Sequence, residues 1–178
     1  MFSSQLLMVV GLAASIVCCC PPSCPSGWTY LEKTTSCYKV IKKEGGLDQS
    51  EAQALCVSLG SNLTSIHSDE EHDFINDIAE TSVNVSTWLM TMTGGVRTGG
   101  KATDWKWIDG TPFDYTNWAP KMPDNDWQTA LQVYTAVGYP SWDSASLGPY
   151  STSHRHWDDI RADKKFINAV CKRPATRQ

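Results

Sequence analysis

The segment from Trp105 to Trp127, WKWIDGTPFDYTNWAPKMPDNDW, sets the tightest limit on what this chain can fold into. Trp105 and Trp107 alternate, so on an extended strand both point to one face. Asp109-Gly110 and Thr111-Pro112 carry turn chemistry, because glycine accepts positive φ and proline presets its own. Pro120 and Pro123 bracket Lys121-Met122 in a stretch that cannot be helix, since proline lacks the amide donor and restricts the residue before it. The reading is strand, turn, aromatic run, then a stiff loop that carries Asp124, Asn125 and Asp126 beside Trp127. Polar groups held on a stiff loop are a frequent form of binding site.

The remaining chain fits around that segment as one domain. Its 178 residues suit one domain plus a leader. The apolar run Leu6–Val17 is too short to span a bilayer, which needs about 20 residues. It reads as the core of a secretory signal over residues 1–19, although the first residues hold no Lys or Arg. A signal anchor is the alternative, and the cut falls near Ala13–Ser15 or Cys18-Cys19. Net charge is −4 and no basic stripe occurs, which argues against nucleic-acid binding. Secretion permits disulfides and glycans. Of seven cysteines, Cys18, Cys19 and Cys20 lie at the presumed cut, leaving Cys24, Cys37, Cys56 and Cys171 along the domain. Asn62-Leu63-Thr64 and Asn84-Val85-Ser86 are glycan acceptor sequons in a secreted chain.

Residues 27–40 read as two short strands around a turn that Cys24 and Cys37 are placed to close. Asp48 with Glu51 forms a capping box that opens a helix over Asp48–Leu59. Ala52, Leu55, Cys56 and Leu59 share one face, and Gly60 stops it. Cys56 therefore faces the core, and a bridge to Cys171 would tie the first helix to a final strand around Phe166–Val170. Ser68-Asp69-Glu70-Glu71 caps a second helix with Phe74, Ile75 and Ile78 inward. Val83–Met92 reads as a strand containing Trp88. Gly94–Gly100 reads as a flexible loop, and the Ser-, Gly- and Pro-rich run between Ala130 and Arg155 as a loop insertion.

The run W-I-D-G-T-P-F-D-Y-T-N-W-A-P resembles the C-type lectin-like domain. There a W-x-D-G-T-x-x-x-Y-x-N-W run leads into a proline loop that binds calcium and sugar. L-T-S-I-H-S-x-E-E at Leu63–Glu71, and Trp157-Asp158-Asp159 in the place of W-N-D, extend the likeness over residues 24–174. The resemblance implies an α+β fold with two helices on mostly antiparallel sheets and a long loop region. It matches Cys24 with Cys37, as in the long form of the domain. A second family bridge is missing, with Ala130 and Ala162 in its places.

The resemblance also places a metal and a ligand. The calcium positions are Met122, Asp124, Gln128, Asp158 and Asp159. A thioether does not ligate a hard cation. That leaves Asp124, Gln128, Asp158 and Asp159 as a weak, degenerate calcium set against the six to eight oxygens calcium prefers. Sugar contacts fall on Asp124, Asn125, Trp127, Asp158 and Asp159, with Trp127 either stacking on a sugar or packing in the loop. The implied function is a secreted, extracellular glycan- or glycoprotein-binding module without enzymatic activity or stable membrane span. A defence role follows by family analogy only. A calcium-independent protein-binding module is the alternative. His67 and His72 do not share a helical face and read as a solvated helix start rather than a metal site. His154 and His156 alternate beside Asp158 and Asp159, a weaker zinc candidate.

Overall fold

The computed structural model describes residues 21–80, 90–135 and 155–177. The leader through residue 20, Asn84, Trp88 and His154 lie outside the described residues, as does most of the 130–155 insertion. β1 (Thr29–Leu31) and β2 (Ser36–Leu47) form the N-terminal hairpin across a short 3-10 turn, Glu32–Thr34. Cys24 and Cys37 bridge it, with Cα atoms 5.6 Å apart. α1 (Gln49–Ser58) follows. Its capping box is reciprocal: Glu51 N donates to Asp48 Oδ1 at 2.9 Å, and Asp48 N donates to Glu51 Oε2 at 3.0 Å. These bonds satisfy backbone donors that have no partner inside the helix.

β3 (Asn62–Leu63) leads into α2 (Asp69–Glu80). The sheet continues with β4 (Met90–Arg97), β5 (Trp105–Trp107), β6 (Ala130–Tyr134), β7 (Trp157–Ile160) and β8 (Phe166–Pro174). The main strand order is β1-β2-β8-β4-β6-β7, with β3 beside β8 and β5 beside β4. β4 and β8 run parallel, and the other named pairs are antiparallel. This is the α+β fold the sequence implied.

Strand alternation divides the core in two. Leu131 and Val133 of β6 join Tyr38, Ile75, Trp105, Trp107 and Trp157 under α2. Ala130, on the other side, joins Leu47, Ala52, Leu63 and Met92 under α1. Cys56 and Cys171 are bridged within that second core, tying α1 to β8. Ala130 lies opposite Ile160, and Ala162 packs against the same cluster, so small methyl groups stand where the family places its other bridge.

One sequence expectation fails here. Gly94 and Gly95 do not open a loop; β4 runs through them to Arg97. A Cβ on Gly94 would stand 2.7 Å from Leu63 O, and one on Gly95 2.5 Å from Leu131 Cβ. Glycine is required for close strand packing rather than for flexibility. The result is that Arg97 is delivered to the sheet end beside β7.

Candidate functional site

Trp157 is the centre of the aromatic side. Its ring meets Trp107, Phe113, Tyr115 and Trp118 at centroid distances of 5.7, 5.9, 5.5 and 5.6 Å. Edge-on contacts of this kind contribute beyond burial alone, about 0.5–1.5 kcal/mol each. The indole N–H can only donate, and it lies 3.1 Å from His72 Nδ1. Nδ1 is therefore unprotonated, and Nε2–H donates to Arg155 O. Burial, the main influence, lowers the His72 pKa and favours this neutral ring.

The backbone of Trp157 also anchors the proline loop. Trp157 N donates to Asn117 O at 2.8 Å, and Ala119 N donates to Trp157 O at 2.9 Å. Met122 N then turns back to Ala119 O at 2.9 Å, and the Met122–Pro123 peptide is cis. Two residues further along β7, the Asp159 carboxylate receives the other end of the loop. Asp124 N donates to Asp159 Oδ1 at 2.9 Å, and Asn125 N donates to Oδ2 at 3.1 Å. The loop is thus held at both ends by β7.

Arg97 completes the arrangement. Its Nη2 lies 3.6 Å from Asp159 Oδ2, with side-chain exposures of 4% and 0%. The guanidinium stacks over the Trp105 ring, 5.1 Å from its centroid. Gln128, oriented as a donor, reaches Asp159 O at 2.8 Å and Oδ2 at 3.2 Å. Burial raises the Asp159 pKa against these donors.

Asp158 points away from this group, as its alternation with Asp159 on β7 requires. Its Oδ2 accepts from Gln132 Nε2 at 2.7 Å and from Tyr134 OH at 2.6 Å. Burial pushes its pKa up to about 6, with the Asp159 and Asp124 charges adding to the effect.

These residues do not fit calcium. The metal would need Asp159 oxygens to face it as bare ligands. Instead both oxygens accept N–H groups, and a guanidinium occupies the cation side. Asp158 is turned to Tyr134 and Gln132, and Met122 supplies sulfur. Among the described residues no three His, Cys, Asp or Glu side chains gather around one point. The expected set of Asp124, Gln128, Asp158 and Asp159 is therefore brought together only in part: Asp124, Gln128 and Asp159 meet, while Asp158 does not join them.

What the loop presents outward is different. Trp127 is 58% exposed, so it is not packed into the loop. Asp124 and Asp126 are exposed and Asn125 is half-buried beside it. Asn125 Nδ2 donates to Asp124 Oδ1, which orients that carboxylate.

Two further readings change. The start of α2 is solvated at Asp69 and Glu70, but His72 and the neighbouring Glu71 are not; they are 2% and 0% exposed. Glu71 accepts from Tyr38 OH at 2.6 Å and from His67 N at 2.9 Å, and pairs with Lys172. Ser68 still caps α2 through Glu71 N at 3.2 Å, but the Glu71 carboxylate reaches back to His67 rather than to Ser68. His67 Nδ1 meets Asp114 Oδ1 at 2.7 Å, and His156 Nδ1 meets Asn117 Oδ1 at 2.7 Å. Arg97, Glu71 and Lys172 carry no local sequence signal of these roles. Only the strand reading of Gly94-Gly95-Val96-Arg97 would have found Arg97.

Residues 46–173 match the family described as the Lectin C-type domain. A type-2 ice-structuring protein from Hemitripterus americanus is 32% identical over 135 residues, 76% of this chain and 73% of that one. The galactose-specific lectin nattectin from Thalassophryne nattereri is 31% identical over 121 residues, 67% of this chain and 70% of its own. The crystal structure of a calcium-independent type II antifreeze protein superposes with a TM-score of 0.65 at 27% identity, covering 88% of this chain and 98% of that chain.

Proposed function

The chain belongs to the C-type lectin domain family, and from that footing we propose that it is an extracellular saccharide-binding module that works without calcium. The observation that carries this reading is the buried Arg97–Asp159 pair beneath the loop. A cation fixed in the protein holds the loop in the absence of a metal. Trp127 then offers an exposed ring, and Asp124, Asn125 and Asp126 offer hydrogen-bonding groups next to it. An apolar face with adjacent acceptors suits the two sides of a pyranose. The relative nattectin is described as galactose-specific, and a structural neighbour as calcium-independent. Both descriptions are compatible with this combination. No helix among the described residues is long and apolar enough to cross a membrane.

Calorimetric titration with galactosides and mannosides, in chelator and then in calcium, tests the reading. Equal binding under both conditions, abolished by Trp127→Ala, supports it. Binding that requires calcium overturns it. A protein ligand docked on Trp127 is the second reading, supported by the half-buried apolar Met122 where a ligand oxygen would otherwise stand. In that case no saccharide binds, yet Trp127→Ala still abolishes capture of the partner.

A further inference from the structure

A second feature lies away from the proline loop. A cavity of about 650 Å³ opens between the N-terminal hairpin, the start of α2 and the end of β8. Its walls include Lys33, Thr34, Asn62, Thr111 and Arg173, and no residue of the 119–128 loop. The Glu71–Lys172 pair lies among the lining residues, with its acid already supplied by Tyr38 OH and His67 N. What remains open is a cleft with more apolar than polar surface, bordered by the Asp109 carboxylate, the Lys33 and Arg173 cations and one amide, Asn62.

The Asn62 amide is oriented. Gln53 of α1 donates Nε2 to Asn62 Oδ1 at 2.7 Å and accepts from Leu63 N at 2.8 Å. Both ends of Gln53 are engaged, so it holds the Asn62 oxygen toward α1. Gln53 is not part of the cavity wall, whereas Asn62 is. Among the described residues Nδ2 is the end of the Asn62 amide that makes no hydrogen bond, and Asn62 is one of the residues lining the cavity. Asn62 also opens the acceptor sequon Asn62-Leu63-Thr64, and the two disulfides are bonds of the kind that form in an oxidising, secretory compartment.

We propose that Asn62 carries an N-linked glycan whose first sugar residues sit in this cavity. In the transfer, Asn62 Nδ2 forms a bond to C1 of the reducing-end N-acetylglucosamine of a lipid-pyrophosphate-linked oligosaccharide. The C1–oxygen bond to the pyrophosphate breaks, the lipid pyrophosphate leaves, and one Nδ2 proton goes to solvent. The remaining Nδ2 hydrogen and Oδ1 stay amide groups, so the Gln53 bond survives. A cavity of this size holds a ligand of one or two sugar rings, within the roughly 300–1,000 Å³ range of ligand pockets. The apolar wall suits the carbon face of such a ligand, and the exposed Lys33 and the Arg173 guanidinium at the rim are donors for its hydroxyl and acetamide oxygens.

The fold also fixes when the transfer happens. Leu63 and Thr64 are both 0% exposed, and Thr64 Oγ1 donates to Ser65 O at 2.9 Å. The hydroxyl that completes the sequon is reachable only before β3 docks. Attachment therefore precedes folding.

The test uses the full chain secreted from an animal cell line, with glycopeptide mass spectrometry and peptide-N-glycosidase digestion. The Asn62 peptide is expected to be modified. Both Asn62→Gln and Thr64→Val should remove one glycosidase-sensitive step, the second while leaving the Asn62 amide in place. Release from the native protein should be about tenfold slower than from the reduced, unfolded chain, as expected for a linkage shielded by structure. Recovery of Asn62 unmodified, in cells that glycosylate a co-expressed control, overturns the assignment. Equal release rates from native and unfolded protein overturn the seating in the cavity.

Discussion

Arg97 Nη2 stands 3.6 Å from Asp159 Oδ2 with both side chains buried, and the same carboxylate accepts the backbone N–H groups of Asp124 and Asn125. One buried ion pair thereby connects strand β4, strand β7 and the proline loop. Removing one member of a buried pair leaves an uncompensated charge, which costs about 3–5 kcal/mol. Arg97→Ala should lower unfolding stability by that order and loosen the loop. Urea denaturation measures the first effect, and hydrogen exchange at Asp124 and Asn125 the second. A change within about 0.5 kcal/mol, the range of an ordinary surface substitution, would show that the pair does not hold the loop.

Trp127 is expected to behave in the opposite way. It is 58% exposed. Trp127→Ala should leave stability within about 0.5 kcal/mol while removing ligand binding. A loss of several kcal/mol would mean that the ring supports the loop rather than the ligand.

Asp158 gives the pH dependence. An unfolded aspartate has a pKa near 3.9, whereas burial brings that of Asp158 to about 6. The folded state binds the extra proton, so this group favours folding below about pH 4 and the benefit is lost as pH rises to about 6. A shift of this size corresponds to at most about 3 kcal/mol. Asp158→Asn removes the charge. Its new amide can also donate to Gln132 Oε1, a buried acceptor without a partner among the described residues. The variant should be more stable than the parent near neutral pH by about 1–3 kcal/mol, with the difference shrinking toward pH 4. His72, whose pKa is lowered, acts in the opposite sense by weakening the fold in acid, but it is common to both proteins and cancels. Urea unfolding of parent and variant across that range is the check; a constant difference would remove Asp158 as the cause.

Glu71 should be as sensitive as Arg97. Its carboxylate is fully buried and serves Tyr38, His67 and Lys172 at once. Glu71→Gln leaves the Lys172 ammonium without its counter-charge, and a loss of about 3–5 kcal/mol is expected in thermal or chemical unfolding. A neutral outcome would show that Lys172 escapes to solvent.

Much of this structure could be read from the chain because its signals are local. Trp105 and Trp107 alternate as a strand must, and the Asp48–Glu51 capping box lies within one helical turn. The Cys56–Cys171 bridge follows from the helix face and the final strand, while Cys24–Cys37 follows from the hairpin and the family resemblance. The charged interior was not legible, since its partners are distant in sequence. Glu71 and Lys172 are separated by 101 positions, so nothing beside Glu71 marks it as buried. Gly94-Gly95 looked like a loop because glycine is permissive, whereas packing against Leu63 and Leu131 is what demands it. That one misreading concealed Arg97. Asp158 and Asp159 looked like a ligand pair, but adjacent strand residues face opposite ways.

Calcium titration followed by saccharide titration measures metal independence most directly. On the proposal that Arg97 takes the place of a metal, millimolar calcium should produce no binding heat and no rise in melting temperature, and saccharide affinity should be the same in chelator. A calcium-dependent rise in melting temperature, together with saccharide binding that disappears in chelator, would contradict it.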